Sequence, residues 1–283
     1  MKITVLGVRG STPAPGPEFA RYGGNTSCLA IAHDDARPTL VLDAGTGIRG
    51  LGALLGERPF DGSILLGHLH WDHTQGLPFS RAVDHDSARV DLYLPDQEDG
   101  ATATDVLRRA MSPPHFPIGP EGLRGSWTLS NLEVGRHRIE GFDVLALEIP
   151  HKGGRTYGYR VSDSASSMAY LSDHGPSANG PGPDGWGPYH ADALALASGV
   201  DVLFHDAQHT AEELPSRALF GHSAADYAVA LATRSGAKAV ALFHHDPTRV
   251  DAEVDAIVAR FASSSVRVFA AAEQQTMSLP SED

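Results

Sequence analysis

His68-Leu69-His70-Trp71-Asp72-His73 sets three imidazoles and one carboxylate within six consecutive positions. The run before it, Ser63-Ile64-Leu65-Leu66-Gly67, has the length and apolarity of a buried strand. Side chains alternate faces along a strand, so His68 and His70 are expected to point the same way. A turn just beyond would bring Asp72 and His73 back toward that side. A histidine tag would be terminal and repetitive, and a core strand does not ordinarily bury three titratable rings beside an acid. The stretch offers more ligands than one tetrahedral ion needs. Two adjacent metals, sharing further ligands from elsewhere in the chain, are the natural reading.

Working outward, apolar runs end in His or Asp at several distant places. His151 follows Leu147-Glu148-Ile149-Pro150, and Asp173 follows Ala169-Tyr170-Leu171-Ser172. The run at 200–204 ends in His205-Asp206, and that at 238–243 ends in His244-His245. A single such residue is an ordinary turn cap. Their recurrence in a chain that already holds the six-residue cluster points to one site, because ligands of α/β sheets gather outside the strand ends. His244 and His245 are neighbours and must point in different directions. Only one of the two can be the ligand, and the other is expected to contribute to substrate handling.

The rest of the pattern alternates strands with helices. Further strands are expected at 2–7, 27–32, 39–43, 89–94, 126–129, 143–149, 156–161, 168–171 and 266–269. A hairpin through Asp34-Asp35 joins the second and third. Helices are expected at 46–55, 104–111, 190–198 and 251–261, with a short one starting near Gln75. Ser223 and Asp226 resemble a capping box that opens another, ending near Ser235. No linker or low-complexity tract divides residues 1–283, so a single layered α/β domain fits best.

Composition narrows the function. The formal charge is −13, from 22 basic and 35 acidic residues, which opposes broad electrostatic capture of nucleic acid. The one cysteine, Cys28, permits neither an internal disulfide nor a zinc–thiolate site. The opening Met1-Lys2-Ile3-Thr4-Val5-Leu6-Gly7 reads as a first strand rather than a signal sequence, and no apolar run reaches membrane-spanning length. A cytoplasmic enzyme is expected.

His68-x-His70-x-Asp72-His73, with the later His151, Asp173 and His244, resembles the metallo-β-lactamase fold over essentially the whole chain. That fold is a four-layer αββα sandwich with a dinuclear metal site. Gly7-x-x-Gly10-Ser11-Thr12-Pro13, Tyr22-Gly23-Gly24-Asn25-Thr26-Ser27 and Leu42-Asp43-Ala44-Gly45-Thr46-Gly47 resemble the N-terminal motifs of its phosphodiesterase branch. That branch includes ribonuclease Z and small cyclic-phosphodiester hydrolases. The segments 201–207 and Gly221-His222-Ser223-Ala224 are similar to the same branch. Nothing at 96–127 resembles the basic arm with which the ribonucleases grip tRNA.

The resemblance implies that one metal is held by His68, His70 and His151, and the other by Asp72, His73 and His244, with Asp173 between them. Such ligands suit two zinc ions, and also manganese or iron. It further implies a metal-bridging hydroxide as nucleophile, Asp72 steering its proton, and His222, oriented by Asp206, serving the phosphate or the leaving oxygen. A small phosphodiester is the expected partner, with tRNA and membranes disfavoured and a homodimer allowed. Arg9, Arg21 and Lys152 lie in loops that would border the site. A hydrolase of a lactone, thioester or amide is the alternative on the same centre, since fold does not fix substrate.

Overall fold

Cys28, Leu29, Ala30 and Ile31 pack alternately outward and inward in a computed structural model of the protein, which describes residues 1–34, 36–97 and 99–280. Asp35, in the expected hairpin turn, and Glu98, in the segment 96–127, lie outside the described residues. The alternation has a period of two and decides the layers. One sheet takes β1 (Lys2–Gly7), β2 (Cys28–Ala32), β3 (Leu40–Leu42), β4 (Asp61–Leu65), β5 (Arg89–Pro95) and β6 (Ser126–Leu132). The other takes β7 (Gly135–Ile139), β8 (Phe142–Glu148), β9 (Tyr157–Ser162), β10 (Ser167–Leu171), β11 (Val202–Asp206), β12 (Ala239–Phe243) and β13 (Arg267–Ala270). A last strand, β14 (Thr276–Ser278), returns to the first sheet and pairs antiparallel with β1.

Each sheet is antiparallel on one side and parallel on the other. Strands β3 to β6 run parallel in the first sheet, and β10 to β13 in the second. Parallel strands need both faces covered, so they read as continuous apolar runs. Met168 and Tyr170 enter the core between the sheets, whereas Ala169 and Leu171 face the helices outside; Phe204 and Leu203 divide in the same way.

The helices are α1 (Leu51–Leu54), α2 (Trp71–Thr74), α3 (Ala103–Ala110), α4 (Ala191–Ala197), α5 (Leu214–Arg217), α6 (Ala225–Ser235) and α7 (Asp251–Ala259). Leu51 and Leu55 at α1, with Val106 and Leu107 of α3, cover the first sheet; Leu196 of α4, Leu231 of α6 and Ile257 of α7 cover the second. The order helix, sheet, sheet, helix is the αββα sandwich expected. The helix expected at 46–55 is a 3₁₀ turn over Thr46–Gly50 followed by the single turn of α1. β7 and β14 were not foreseen. Among the described residues, no helix is long and apolar enough to cross a membrane.

Candidate metal centre

Strand β4 ends at Leu65, so His68 and His70 do not ride on it as expected. They lie in extended coil beyond the sheet, and His70 (φ −63°, ψ 154°) is the residue that opens α2. The single turn of α2 then folds the chain back, with His73 N–H donating to the His70 carbonyl at 3.0 Å. Strand alternation is therefore not what aligns the rings. The turn does, and all four side chains of the motif reach one place.

The remaining members come from strand ends of the second sheet. His151 lies beyond β8, Asp173 beyond β10 and His244 directly after β12. His68, His70 and His151 form one group whose ligand atoms lie within 4.8 Å of one another; Asp72, His73, Asp173 and His244 form a second. Asp173 stands between them. Its Oδ1 is 3.8 Å from His68 Nε2 and 3.7 Å from His151 Nε2, while its Oδ2 is 3.0 Å from His73 Nε2 and 3.4 Å from His244 Nε2. Asp72 Oδ2 is 3.2 Å from both His73 Nε2 and His244 Nε2.

Hydrogen bonds on the far side of two rings fix which nitrogen faces inward. His73 Nδ1–H donates to Asp43 Oδ2 at 2.7 Å, and His151 Nδ1–H donates to the Gly221 carbonyl at 2.6 Å. In the neutral ring each Nε2 is thereby the nitrogen that turns its lone pair to the centre, as a metal requires. Meanwhile both nitrogens of His68 and Oδ1 of Asp173 are buried without a hydrogen-bond partner. Buried polar atoms are almost always satisfied. The donor set, nitrogen and carboxylate oxygen with no thiolate, fits divalent cations in both groups.

The electrostatics of the two groups differ. Burial pushes His68, His70 and His151 down, toward the neutral imidazole that ligates. Burial also pulls on His244, but Asp173 and Asp72 outweigh it and raise the ring to about 9. His73 is likewise raised well above the usual range, because Asp173, Asp72 and Asp43 overcome its burial. Burial opposes ionisation of Asp72, yet His73 and His244 hold it well below the usual carboxylate range. The second group is thus a carboxylate-rich pocket whose excess negative charge recruits protons, a role that a cation takes over on binding.

Beside this cluster, His222 Nδ1–H donates to Asp206 Oδ2 at 2.8 Å. Asp206 Oδ1 in turn accepts the amides of Gln208 (3.0 Å) and Ser223 (3.1 Å). The His222 ring stacks on His244 with centroids 5.0 Å apart. His222 also lines an open cleft of ≈ 420 Å³ with Ser11, Leu69, His70, Trp71, Asp72 and Asp173. The capping box expected at Ser223 and Asp226 does not form. The Ser223 amide goes to Asp206, the Asp226 carboxylate takes the Ala211 amide at 3.1 Å, and α6 opens two residues later.

His244 and His245 part company because His244 adopts a left-handed backbone (φ 58°). His244 enters the cluster. The His245 ring turns away and donates from Nε2 to the Ala271 carbonyl at 3.0 Å, while its backbone bonds Val8 and Gly10. A place for His245 in substrate handling is therefore not supported. His244→Ala should lose metal occupancy, in addition to the stability that goes with a buried ring hydrogen-bonded to Asp72. His245→Ala should leave metal occupancy unchanged and cost about 2 kcal/mol of stability, the scale of a lost buried side chain and hydrogen bond. Thermal melts and elemental analysis of both variants check the division; the opposite pattern would exchange their roles.

Two of the three expected cations are engaged elsewhere. Arg9 is fully buried and donates to the carbonyls of Gly23 (2.7 Å), Asp246 (3.2 Å) and Arg249 (2.7 Å). Arg21 is tied to Asp255. Lys152 is exposed beside His151.

Sequence reasoning passed over Asp43 and Ser11 as site residues. Asp43 orients His73, and the Ser11 amide donates to Asp72 Oδ2 at 2.6 Å. Asp43 follows β3, so the strand-end rule that selects Asp173 would have found it.

An αββα sandwich with adjoining His/Asp groups outside its strand ends defines a metal-binding protein of the hydrolase type. The family follows from the sequence: residues 39–245 match the model of the Beta-lactamase superfamily domain, and the chain belongs to that superfamily. It is 21% identical to the ribonuclease Z of Natronomonas pharaonis over 90% of this chain and 92% of that one. Its fold is similar to the metallo-β-lactamase fold protein YhfI of Bacillus subtilis (TM-score 0.70, 17% identity), covering 98% of this chain and 99% of that one. It is also similar to a diphosphatase of the PhnP family (TM-score 0.70, 18% identity, 98% of this chain and 97% of that one).

Proposed function

We propose that the protein is a dinuclear metal-dependent phosphodiesterase acting on a small phosphodiester, cyclic forms included. The observation that carries this reading is the Asp206–His222 pair. Asp206 takes His222 Nδ1–H at 2.8 Å, so His222 has Nε2 left for the cleft that Asp72 and Asp173 also line. A fixed imidazole beside a metal cluster is the group a phosphodiester needs when its leaving oxygen must be protonated. The likeness to ribonuclease Z and to a diphosphatase, both phosphorus chemistries by name, supports the same reading.

In this reading His68, His70 and His151 would hold one cation and Asp72, His73 and His244 the other, with Asp173 available to both. Zinc fits these ligands, as do manganese and iron. When bound, two divalent cations supply a nucleophile at neutral pH and neutralise charge developing at phosphorus. Asp72 accepts the proton of the attacking water, whose oxygen bonds to phosphorus as the ester P–O bond breaks. His222 Nε2 gives a proton to the departing oxygen. Asp206 keeps His222 in the correct tautomer and stabilises it when charged.

Small substrates are favoured over RNA bodies. The charge of −13 opposes accumulation along a polyanion, and Arg9 and Arg21 are already committed within the fold. Assays on bis-p-nitrophenyl phosphate, a simple lactone and a precursor tRNA at matched salt test the reading. Hydrolysis of the diester is expected. His222→Ala should lower its turnover by roughly 10²- to 10⁴-fold, the usual contribution of general acid–base groups, with metal content held. Hydrolysis of the lactone alone would replace the proposal with carboxyl-type chemistry, and trimming of the tRNA alone would replace it with an RNA substrate.

A further inference from the structure

Trp71 is 77% exposed, although tryptophan is a side chain that proteins ordinarily keep largely covered. Its place is specific. It is the first residue of α2, between His70 and Asp72, and with Leu69 it forms the apolar part of the cleft lining. The first turn of a helix makes no demand for an indole, so the backbone does not account for it. Nothing in the packing does either, since most of the side chain faces solvent.

The segment leading to His222 has the same character. Leu219 and Phe220 are 83% and 63% exposed and stand immediately before Gly221-His222. The charge of the cleft points the same way. No lysine or arginine is among its lining residues, while Asp72 and Asp173 are. Within the lining itself, with Lys152 outside it beside His151, the cleft offers a substrate a flat apolar surface rather than positive charge. The complementary chemical group is an uncharged planar ring.

We propose that Trp71 stacks a planar ring carried by the phosphodiester, of the nucleobase kind, and so makes the site selective for base-bearing diesters over sugar or alkyl diesters. This rests on the phosphodiesterase reading and narrows its substrate class. Every base has a π-face, so stacking discriminates between having a ring and lacking one more than between bases. Placed one residue from each of two proposed ligands, the indole would hold the ring while the attached phosphate reaches the centre. Trp71 would act in binding and not in the chemical step.

The test compares adenosine 2′,3′-cyclic phosphate with ribose 2′,3′-cyclic phosphate, using metal-loaded wild-type protein, Trp71→Ala and Trp71→Phe. Wild type should prefer the base-bearing diester, and Trp71→Ala should reduce that preference in kcat/KM by roughly 10- to 100-fold, chiefly through KM, as expected for one stacked base. Trp71→Phe should restore most of it. Adenosine monophosphate should also quench the tryptophan fluorescence of wild type more than that of Trp71→Ala, a readout independent of turnover. A preference unchanged in Trp71→Ala, or not recovered by Trp71→Phe, overturns the inference and leaves the phosphodiesterase reading standing. If wild type cleaves neither diester, that reading is what fails for this substrate class. Quenching then decides the stacking by itself, and equal quenching in the two proteins overturns it.

Discussion

Replacing Asp72 by alanine is expected to abolish hydrolysis, with turnover falling at least about a thousandfold, the scale on which charge-stabilising and proton-handling groups act. The carboxylate meets His73 and His244 at 3.2 Å each and accepts the Ser11 amide at 2.6 Å. Its loss removes one proposed ligand from the second cation and the proposed acceptor of the nucleophile's proton together. Metal content should drop from about two ions per chain toward one, two being what a two-metal site implies. Asp72→Asn keeps the shape and should behave in the same way, since a neutral amide supplies neither charge nor a basic oxygen. Elemental analysis and turnover on a small diester decide it: near-normal activity with two ions bound would remove Asp72 from the site.

Asp43→Ala should carry the largest cost in stability. The carboxylate is fully buried and accepts from Gly67 N (2.7 Å), His73 Nδ1 (2.7 Å), the Tyr170 hydroxyl (2.7 Å) and the Ser172 hydroxyl (3.4 Å). Alanine would strand these donors in a site that water reaches poorly. Each buried group left unpaired costs about 1–3 kcal/mol, so a total near 4 kcal/mol is expected. For a chain of this size that corresponds to a melting point lower by about 10 °C in metal-free protein. Metal affinity should fall by roughly 10- to 100-fold as well, because His73 loses the partner that sets its tautomer. Asp43→Asn retains the volume and should lose affinity with a smaller fall in melting point. An Asp43→Ala protein that melts with wild type would show that these hydrogen bonds do not hold the two sheets' ends together.

Much of this was legible in the sequence, for reasons that can be traced. Parallel strands buried on both faces give apolar runs, and the polar residues that end them stand out; Asp173, Asp206 and His244 were found in that way. What hid lacked such contrast. β7 reads Gly-Arg-His-Arg-Ile and alternates exposed with covered positions at a sheet edge, and β14 is three residues long. Arg9 sits in a Gly/Pro-rich loop and looks like a surface cation. Only the fold shows that three distant carbonyls enclose its guanidinium. The capping pattern at Ser223 and Asp226 failed because tertiary partners outcompeted the local bond. His68 and His70 converge as expected, but through coil and the turn of α2, since extended coil and strand share the same local signature.

The pairing of β14 with β1 has a bearing on synthesis. Lys2 faces Ser278 and Thr4 faces Thr276, so the edge of the first sheet waits until residues 276–278 have left the ribosome before its outer neighbour exists. The metal cluster waits almost as long, since Asp72 and His73 must meet His244. Contacts so distant in sequence are slow to form, and an uncovered edge strand is an invitation to pair with other chains in the interval. Nascent chains of this protein should therefore be most aggregation-prone while the first six strands have emerged and β14 has not, a window that slow translation through the second sheet would widen.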